Sequence, residues 1–283
     1  MKILITGTTG FVGRNVKEYF ETRYKQVYCP KRAELNLYDS EAVKNYLHTH
    51  KFDVVLQCAV TLNSVEENLK IYFNIERCSE TFGKMICVGS GAEYDPRHYL
   101  PMMTEDYFGK EIPTDIYGFS KYVIAKDIEN TKKNIYNLRV FGIYGKYENY
   151  SRRFISNNIC RVLANQNISM NRNMKFDYLY VNDFVKLLDL FVGQQPKHHS
   201  YNLCTSTPID LYTLAEYVKA AHGKQLEIAI KQDGMNPEYS GDNSRFMKEF
   251  GNFEFCNHQE AIKELYNWYK FESKIRFDEL VFN

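Results

Sequence analysis

The chain opens with a short apolar strand that runs into a glycine-rich turn and then into an amphipathic helix. The strand covers residues 2–6, the turn carries Gly7, Gly10 and Gly13, and the helix follows from Arg14. The first glycine permits a tight turn, the second lets the backbone approach a pyrophosphate, and the third lets the helix pack closely on the strand. The pattern predicts an α/β fold that binds a dinucleotide, and a tight turn without a ligand is the alternative interpretation.

A tyrosine and a lysine four residues apart indicate proton-transfer chemistry. Tyr117 and Lys121 lie one turn apart on one face of a predicted helix. A nearby ammonium stabilises a phenolate, so such a pair can exchange a proton near neutral pH. The same spacing recurs at residues 122–126 and 266–270, but Tyr117 is the tyrosine that stands at a helix start behind a small-residue turn.

That turn follows a predicted buried strand over residues 84–88 and contains Ser90. In a doubly wound sheet, ligands bind outside the carboxyl ends of the strands. The Ser90 hydroxyl is therefore a candidate to bind a substrate carbonyl or alcohol against Tyr117. The alternative is that Ser90 only caps the next turn.

Together these motifs resemble the short-chain dehydrogenase/reductase superfamily, in its extended, nucleotide-sugar-modifying branch of epimerases, dehydratases and 4-ketoreductases. Later segments resemble successive landmarks of that branch, namely residues 137–145, 176–183 and 201–203. The resemblance covers residues 1 to about 270. It implies that Ser90, Tyr117 and Lys121 are catalytic.

The strand and helix patterns alternate up to residue 145, which predicts a parallel α/β sheet. The resemblance implies a Rossmann-type doubly wound sheet with a smaller C-terminal substrate-binding lobe. We expect residues 1–145 and about 177–205 to form the dinucleotide-binding domain. The lobe is expected to comprise about 146–176 and 206–283.

Relatives commonly dimerise through two helices, which here cover about residues 65–80 and 117–132, so a homodimer is expected. Apolar residues at helical spacing could serve either that interface or the internal core, namely Ile71, Ile75, Ile124 and Ile128.

The end of the second predicted strand favours NADPH over NAD as the cofactor. NAD-preferring relatives place a carboxylate there, whereas this chain has Lys31 and Arg32, which suit a 2′-phosphate. An exposed loop decorated with cations is the alternative interpretation. The resemblance implies further cofactor contacts at Thr9, Phe11, Val12, Asn36, Leu37, Cys58, Ala59 and Phe141.

The candidates for binding the substrate are Ser90 and Gly91 near the sugar and three cations for a diphosphate, Arg153, Lys175 and Arg245. Each cation could instead be a solvated surface charge. The chain departs from the branch at two of the positions that usually contact substrate. Phe176 stands where an arginine is usual, and Gly142 stands where an asparagine is frequent.

The residues after Ser90 narrow the reaction. Dehydratases of the branch carry an Asp-Glu pair there, and GDP-fucose synthase uses a cysteine two residues after the serine; this chain has Gly91 and Ala92, although Glu93 follows. We therefore expect reduction of a keto group, at C4 of a nucleotide-linked deoxysugar used for a surface polysaccharide. The alternatives are a 4-epimerase with tightly bound NAD and a catalytically silent dinucleotide-binding sensor.

Composition excludes several other classes of protein. The net charge is +1 with dispersed cations, which gives no nucleic-acid footprint, and no apolar run approaches the roughly 18 residues of a membrane span. The seven cysteines are scattered without metal-ligand spacing, so reduced thiols, no metal site and a cytoplasmic location are expected.

Overall fold

A computed structural model describes residues 1–272 and 275–282. Its strands alternate with helices up to residue 140, whereas the sequence pattern predicts alternation up to residue 145. The strands of the described residues are β1 (Lys2–Thr6), β2 (Gln26–Tyr28), β3 (Phe52–Gln57), β4 (Phe82–Ser90), β5 (Ile135–Val140), β6 (Gly142–Tyr144), β7 (Ile168–Met170), β8 (Lys175–Phe176), β9 (Tyr178–Tyr180), β10 (Ser200–Leu203), β11 (Ile209–Asp210) and β12 (Ile228–Ile230).

The helices of the same residues are α1 (Phe11–Arg23), α2 (Ser40–His50), α3 (Val65–Glu76), α4 (Ile116–Asn130), α5 (Phe154–Leu163), α6 (Val181–Gly193), α7 (Leu211–His222), α8 (Ser244–Phe250) and α9 (His258–Phe271). Several begin at the residue types that accept backbone N–H bonds. Asp39 caps α2, Ser64 caps α3, and Asp115 caps α4. No helix in the described residues is both long and apolar enough to cross a membrane.

Six parallel strands of the described chain form one sheet in the order β10-β5-β4-β3-β1-β2. The chain leaves β1 towards β2 on one side and returns to β3 on the other. The carboxyl ends of β1 and β3 therefore open a crevice at this switch point. The expected doubly wound parallel α/β sheet is confirmed.

Each face of the sheet is covered by helices. On one face, α1, α6 and α8 enclose a core that includes Val16, Phe184 and Phe246. On the other, α2, α3 and α4 enclose a core that includes Val43 and Ile128. The buried faces of the strands read as near-continuous apolar runs because both sides are covered.

The apolar residues considered for a dimer interface are all buried within the chain, namely Ile71, Ile75, Ile124 and Ile128. Three of them, Ile75, Ile124 and Ile128, belong to this second core. Hydrogen bonds also join the two helices, from Asn68 to Ser120 at 2.9 Å and from Tyr72 to Asp127 at 2.7 Å. Packing within a single chain therefore explains the spacing of these isoleucines without a dimer interface.

A separate apolar cluster lies in the C-terminal half, where α5, α7 and α9 pack together beside β7. Residues 181–203 return to the large domain, because α6 packs on α1 and β10 pairs with β5, whereas β9 pairs with β6 in a separate two-stranded sheet. One element differs from the predicted division at residue 206. Helix α8 was expected in the lobe, but Phe246 and Phe250 pack beside β10 on the large core.

The buried carboxylate of Asp177 ties the chain around β8 and β9 to the loop after β10. It accepts hydrogen bonds from the backbone N–H and hydroxyl of Thr205 and from the N–H of Ser206, at 2.7–2.9 Å. Ser206 has a φ of 57°, a left-handed conformation that these bonds help to hold.

We expect Asp177→Ala to lower the free energy of unfolding by about 2–4 kcal/mol, because it leaves three donors without their acceptor in a buried site. The thermal midpoint should fall by roughly 5–10 °C. Asp233→Ala is the matched control, since Asp233 is exposed and makes no side-chain hydrogen bond or ion pair within the described residues. Equal midpoints for the two variants would contradict this account.

Candidate active site

A cleft of about 1050 Å³ opens at the carboxyl ends of β1, β3, β4 and β5. It runs from the glycine-rich turn, past the end of β4, to residues of the C-terminal half. Every residue predicted to contact a cofactor lines this cleft, namely Gly7, Thr9, Gly10, Phe11, Val12, Gly13, Lys31, Arg32, Asn36, Leu37, Cys58, Ala59, Tyr117, Lys121 and Phe141.

The three glycines of the first turn differ in what their missing side chains would meet. Gly7 has a φ of 69°, and a Cβ on it would lie 2.6 Å from the backbone of Ala59. A Cβ on Gly13 would lie 2.2 Å from the Gly7 carbonyl oxygen, so these two positions are sterically closed. A Cβ on Gly10 would meet that oxygen at 3.4 Å, an ordinary contact. Internal packing therefore does not require glycine at position 10. We attribute the glycine to a close approach of a ligand from the cleft.

This end of the cleft fits a dinucleotide. Gly10 is the N-cap of α1 and brings no side chain to the first N–H groups of the helix, which leaves them available to an anion. Lys31 and Arg32 line the wall beyond β2, where the described lining has no carboxyl group. The guanidinium of Arg32 lies 4.9 Å from the centroid of the Tyr38 ring, which also lines the cleft.

The predicted serine, tyrosine and lysine lie together in the middle of the cleft. Ser90 ends β4, and Tyr117 is in the first turn of α4, whose start Asp115 fixes through a 2.8 Å bond from the Gly118 N–H. Lys121 is buried; its Nζ donates to the Val88 carbonyl at 2.7 Å and lies 6.0 Å from the Tyr117 ring centroid. The ammonium is therefore held between β4 and the phenol.

Cys58 completes the wall near the lysine. Burial raises the pKa of the Cys58 thiol to about 12, although the Lys121 ammonium opposes the shift. The thiol is therefore protonated and acts as an apolar part of the wall.

The position of Ser90 is compatible with both of the roles considered for it. Its Oγ accepts a 3.1 Å bond from the Ala92 N–H and so caps the next turn, and the same side chain also lines the cleft. Since no acceptor for its own proton is found within the described residues, the hydroxyl can donate to a ligand.

Glu93, the acid that follows this turn, does not line the cleft. Its carboxylate is buried and accepts bonds from the Ser90 N–H at 2.9 Å, from Asn137 at 2.8 Å and from Arg139 at 2.5 Å. Both oxygens are engaged inside the protein. Glu93 is therefore a structural anchor of the Ser90 turn.

Only some of the residues predicted to bind substrate line the cleft. Arg153 lines the cleft, whereas Gly91, Lys175 and Arg245 do not. The Arg245 guanidinium donates to the Ser200 carbonyl at 3.1 Å and to Asp106 at 3.2 Å, outside the cleft.

Lys175 is exposed on β8, and Gly91 is packed against a ring. A Cβ on Gly91 would lie 2.3 Å from the Tyr239 hydroxyl, so glycine is needed for that contact. The predicted contacts of Gly91, Lys175 and Arg245 with substrate therefore have no support from their positions.

The two departures from the branch, Gly142 and Phe176, are in contact with each other. A Cβ on Gly142 would lie 2.4 Å from the Phe176 ring and 2.8 Å from the Asp177 carbonyl oxygen. Phe176 therefore fills the space that a side chain at position 142 would need. Its ring stacks on Tyr178 at 4.5 Å and contacts Tyr239 at 4.8 Å.

Several residues of the cleft wall were not predicted. Tyr99, Tyr178, Tyr239 and Glu148 line the cleft, and Glu148 is the only acidic residue in the described lining. These residues come from loops and short strands far apart in the chain. No spacing in the sequence relates them.

The fold and this geometry define the class of protein. Residues 3–204 match the family described as "NAD dependent epimerase/dehydratase family". The chain belongs to that family, the extended short-chain dehydrogenases/reductases.

Curated relatives are distant and have different names. Methionine adenosyltransferase 2 subunit beta from Pongo abelii is 27% identical over 161 residues, which cover 52% of this chain and 48% of that protein. The chain thus spans about half the length of that relative. GDP-6-deoxy-D-talose 4-dehydrogenase from Aggregatibacter actinomycetemcomitans is 22% identical, covering 94% of this chain and 97% of that protein.

Solved structures share the fold over nearly the whole chain. The GDP-mannoheptose C4 reductase from Campylobacter jejuni with NADP bound has a TM-score of 0.79 at 18% identity, covering 95% of this chain and 98% of its own. The UDP-N-acetylglucosamine 4-epimerase from Bacillus cereus has a TM-score of 0.79 at 19% identity, covering 98% and 99%. At such identities the likeness concerns the fold.

The glycine geometry predicts two distinguishable variants. Gly10→Ala should keep the thermal midpoint within about 3 °C, because its Cβ meets only an ordinary contact. It should weaken dinucleotide binding by more than about tenfold, because the methyl group occupies the approach to the helix N-terminus. Gly13→Ala should lower both stability and binding.

Calorimetric scanning and fluorescence titration with NADPH and with NADH measure the two properties. Unchanged binding of both dinucleotides by Gly10→Ala would contradict the proposed approach.

Proposed function

We propose that this chain is a ketoreductase that uses NADPH to reduce the C4 keto group of a nucleotide-linked deoxysugar, in the supply of sugars for a surface polysaccharide. The observation that carries the proposal is that Ser90, Tyr117 and Lys121 meet on one cleft whose dinucleotide end is lined by Lys31 and Arg32.

The cofactor part rests on charge. Lys31 and Arg32 line the wall where the adenosine ribose of a dinucleotide would lie, and cations there favour a 2′-phosphate. When bound, NADPH supplies the hydride for the keto carbon. Names of structural neighbours mention both NADP and NAD, so the preference is argued from these two residues.

The proton chemistry follows from the three central residues. Tyr117 donates a proton to the oxygen of the carbonyl as negative charge develops there. The Lys121 ammonium, held by the Val88 carbonyl, stabilises the phenolate that remains. The Ser90 hydroxyl, whose proton has no acceptor within the described residues, donates to the same oxygen and orients it.

Simple reduction is favoured because acid–base groups that would catalyse elimination or epimerisation are missing from the lining beside Tyr117. Ala92 lines the cleft where GDP-fucose synthase has its cysteine, and Glu93 is engaged by Arg139 and Asn137. The one carboxyl of the described lining, Glu148, belongs to a different part of the wall, next to Arg153.

Arg153 is the cation proposed to bind the diphosphate, since it alone of the three candidate cations lines the cleft. Phe176 and its neighbouring rings offer an apolar aromatic surface to the rest of the substrate. A homodimer, which rests on the family resemblance, and a cytoplasmic location, which rests on composition and the scattered cysteines, complete the proposal.

An absorbance assay with NADPH and a panel of 4-keto-6-deoxy nucleotide sugars tests the function. We expect consumption of NADPH with at least one member. Interconversion of UDP-sugars without added cofactor would favour the 4-epimerase instead. NADPH binding without either activity would favour the silent sensor.

Tyr117→Phe should lower kcat by about 10²–10⁴-fold, because it removes the proton donor and leaves the ring in place. Tyr122→Phe is the matched control on the same helix, since Tyr122 shares the Tyr-x-x-x-Lys spacing but packs on Phe108 outside the cleft. Equal kcat values for these two variants would disprove the assignment of the proton donor.

Arg32→Ala should reduce the preference for NADPH over NADH by about tenfold or more, because it removes one of two cations proposed for the 2′-phosphate. The ratio of kcat/KM for the two cofactors is the measurement. Arg152→Ala is the control, because Arg152 is exposed and lies outside the cleft. An unchanged ratio in Arg32→Ala would refute the cofactor assignment.

A further inference from the structure

The wall of the cleft carries a row of aromatic rings that begins near the proposed proton donor. Tyr99 and Tyr239 both lie near Tyr117, and the centroids of their own rings are 4.7 Å apart. Phe176 follows at 4.8 Å from Tyr239, and Tyr178 follows at 4.5 Å from Phe176. The row therefore ends three ring-to-ring steps beyond Tyr99.

A carboxyl group and a guanidinium lie near the far end of this row. Glu148 and Arg153 are both neighbours of Tyr178. Arg153 is exposed, and its side chain has no ion-pair or hydrogen-bond partner within residues 1–272 and 275–282. It stands at the N-cap of α5 without capping the helix. The guanidinium is therefore available to an anion in the cleft.

Glu148 is the unusual member of this pair. The other charged residues of the described lining are cations, which suits anionic ligands, yet this acid is 6% exposed in the same wall. The Ser156 hydroxyl donates to its Oε2 at 2.5 Å, and Oε1 has no hydrogen bond within the described chain. One carboxyl oxygen is thus held by the protein, and the other is left for a ligand.

The surroundings of Glu148 favour its neutral form. Burial raises the pKa of Glu148 to about 8, against the smaller opposing effects of Ser156 and Arg153. The other titratable groups that face it are Tyr144 on β6, Tyr178 on β9 and Tyr269 on α9. Burial raises the pKa of each of these tyrosines, so they stay neutral as well. Near pH 7 the Glu148 carboxyl is mostly a hydrogen-bond donor.

We propose that protonated Glu148 donates a hydrogen bond to a diphosphate oxygen of the substrate, whose negative charge Arg153 neutralises. The proposal rests on the proposed function for its substrate class, a nucleoside diphosphate sugar. Glu148 is thereby assigned to substrate binding and not to chemistry at the reacting carbon. The aromatic row separates it from Tyr99, the ring of the row that lies near Tyr117. The carboxyl loses this role when it ionises, because a carboxylate repels a diphosphate.

The proposal gives a pH dependence of binding. Since the protonated form binds the anion, affinity should be constant below the pKa of about 8 and fall by up to about tenfold per pH unit above it. Binding should also take up a proton in the upper range, because the bound anion raises the pKa of Glu148 further.

Calorimetric titration of GDP and of UDP into the protein saturated with NADP⁺ tests this, between about pH 7 and about pH 9, where the terminal phosphate is ionised and the bases keep their ring protons. The wild-type affinity should fall by up to about tenfold across this range. Glu148→Gln should bind at the lower pH within about threefold of wild type and lose the pH dependence, because the amide still donates and does not titrate. The proton uptake on binding is measured by repeating the titration in buffers of different ionisation enthalpy. It should also be absent in Glu148→Gln.

Ser156→Ala provides a second measurement. Removal of the Ser156 hydroxyl takes away a bond that lowers the pKa of Glu148, so the fall in affinity should move to higher pH. Thermal unfolding and NADPH binding establish that each variant is folded.

A flat wild-type profile, the same pH dependence in Glu148→Gln, or no binding of either nucleotide would overturn the proposal. Nucleotide binding needs no turnover, so a protein that binds GDP or UDP as described but consumes no NADPH would disprove the ketoreductase and leave the Glu148 assignment standing.

Discussion

The site depends on a buried ion pair between Glu93 and Arg139. Glu93 holds the Ser90 N–H at the end of β4, while Arg139 on β5 also donates to Glu129 on α4 at 3.0 Å, the helix that bears Tyr117 and Lys121. One network thus fixes the strand end, its neighbour and the helix relative to one another. Removing one partner of such a pair leaves an uncompensated buried charge and costs about 3–5 kcal/mol.

Charge is distributed along the cleft in a way that matches two anionic ligands. Cations line the dinucleotide end, Lys121 lies at the centre, and Arg153 lies at the far end. Burial raises the pKa of Glu148, the one acid of the described lining, and so limits the repulsion between its carboxyl group and an anionic ligand. Between these ends the aromatic row, with Phe176 filling the space beside Gly142, supplies apolar surface.

Local signals were sufficient for the parts of the site that lie close together in sequence. The glycine turn, the Ser90 turn and the Tyr117–Lys121 pair each depend on backbone geometry or helical spacing, and all line the cleft. The sequence did not separate Arg153 from Lys175 and Arg245, because each is a cation in a polar segment. It also missed Glu148 and Tyr239, which loops distant in sequence bring to the wall, and helix α8, which packs on the large core.

By itself, then, the sequence predicted the parallel α/β sheet from its strand and helix pattern. Through the resemblance of its motifs to known ones it also predicted the family and the serine, tyrosine and lysine that line the cleft together. Tertiary structure alone decided that Glu93 is an anchor, that Ile75, Ile124 and Ile128 are internal, and that Glu148 lines the cleft where burial raises the pKa of its carboxyl group. Those properties depend on burial and on partners from distant segments, and neither can be read from the spacing of residues along the chain.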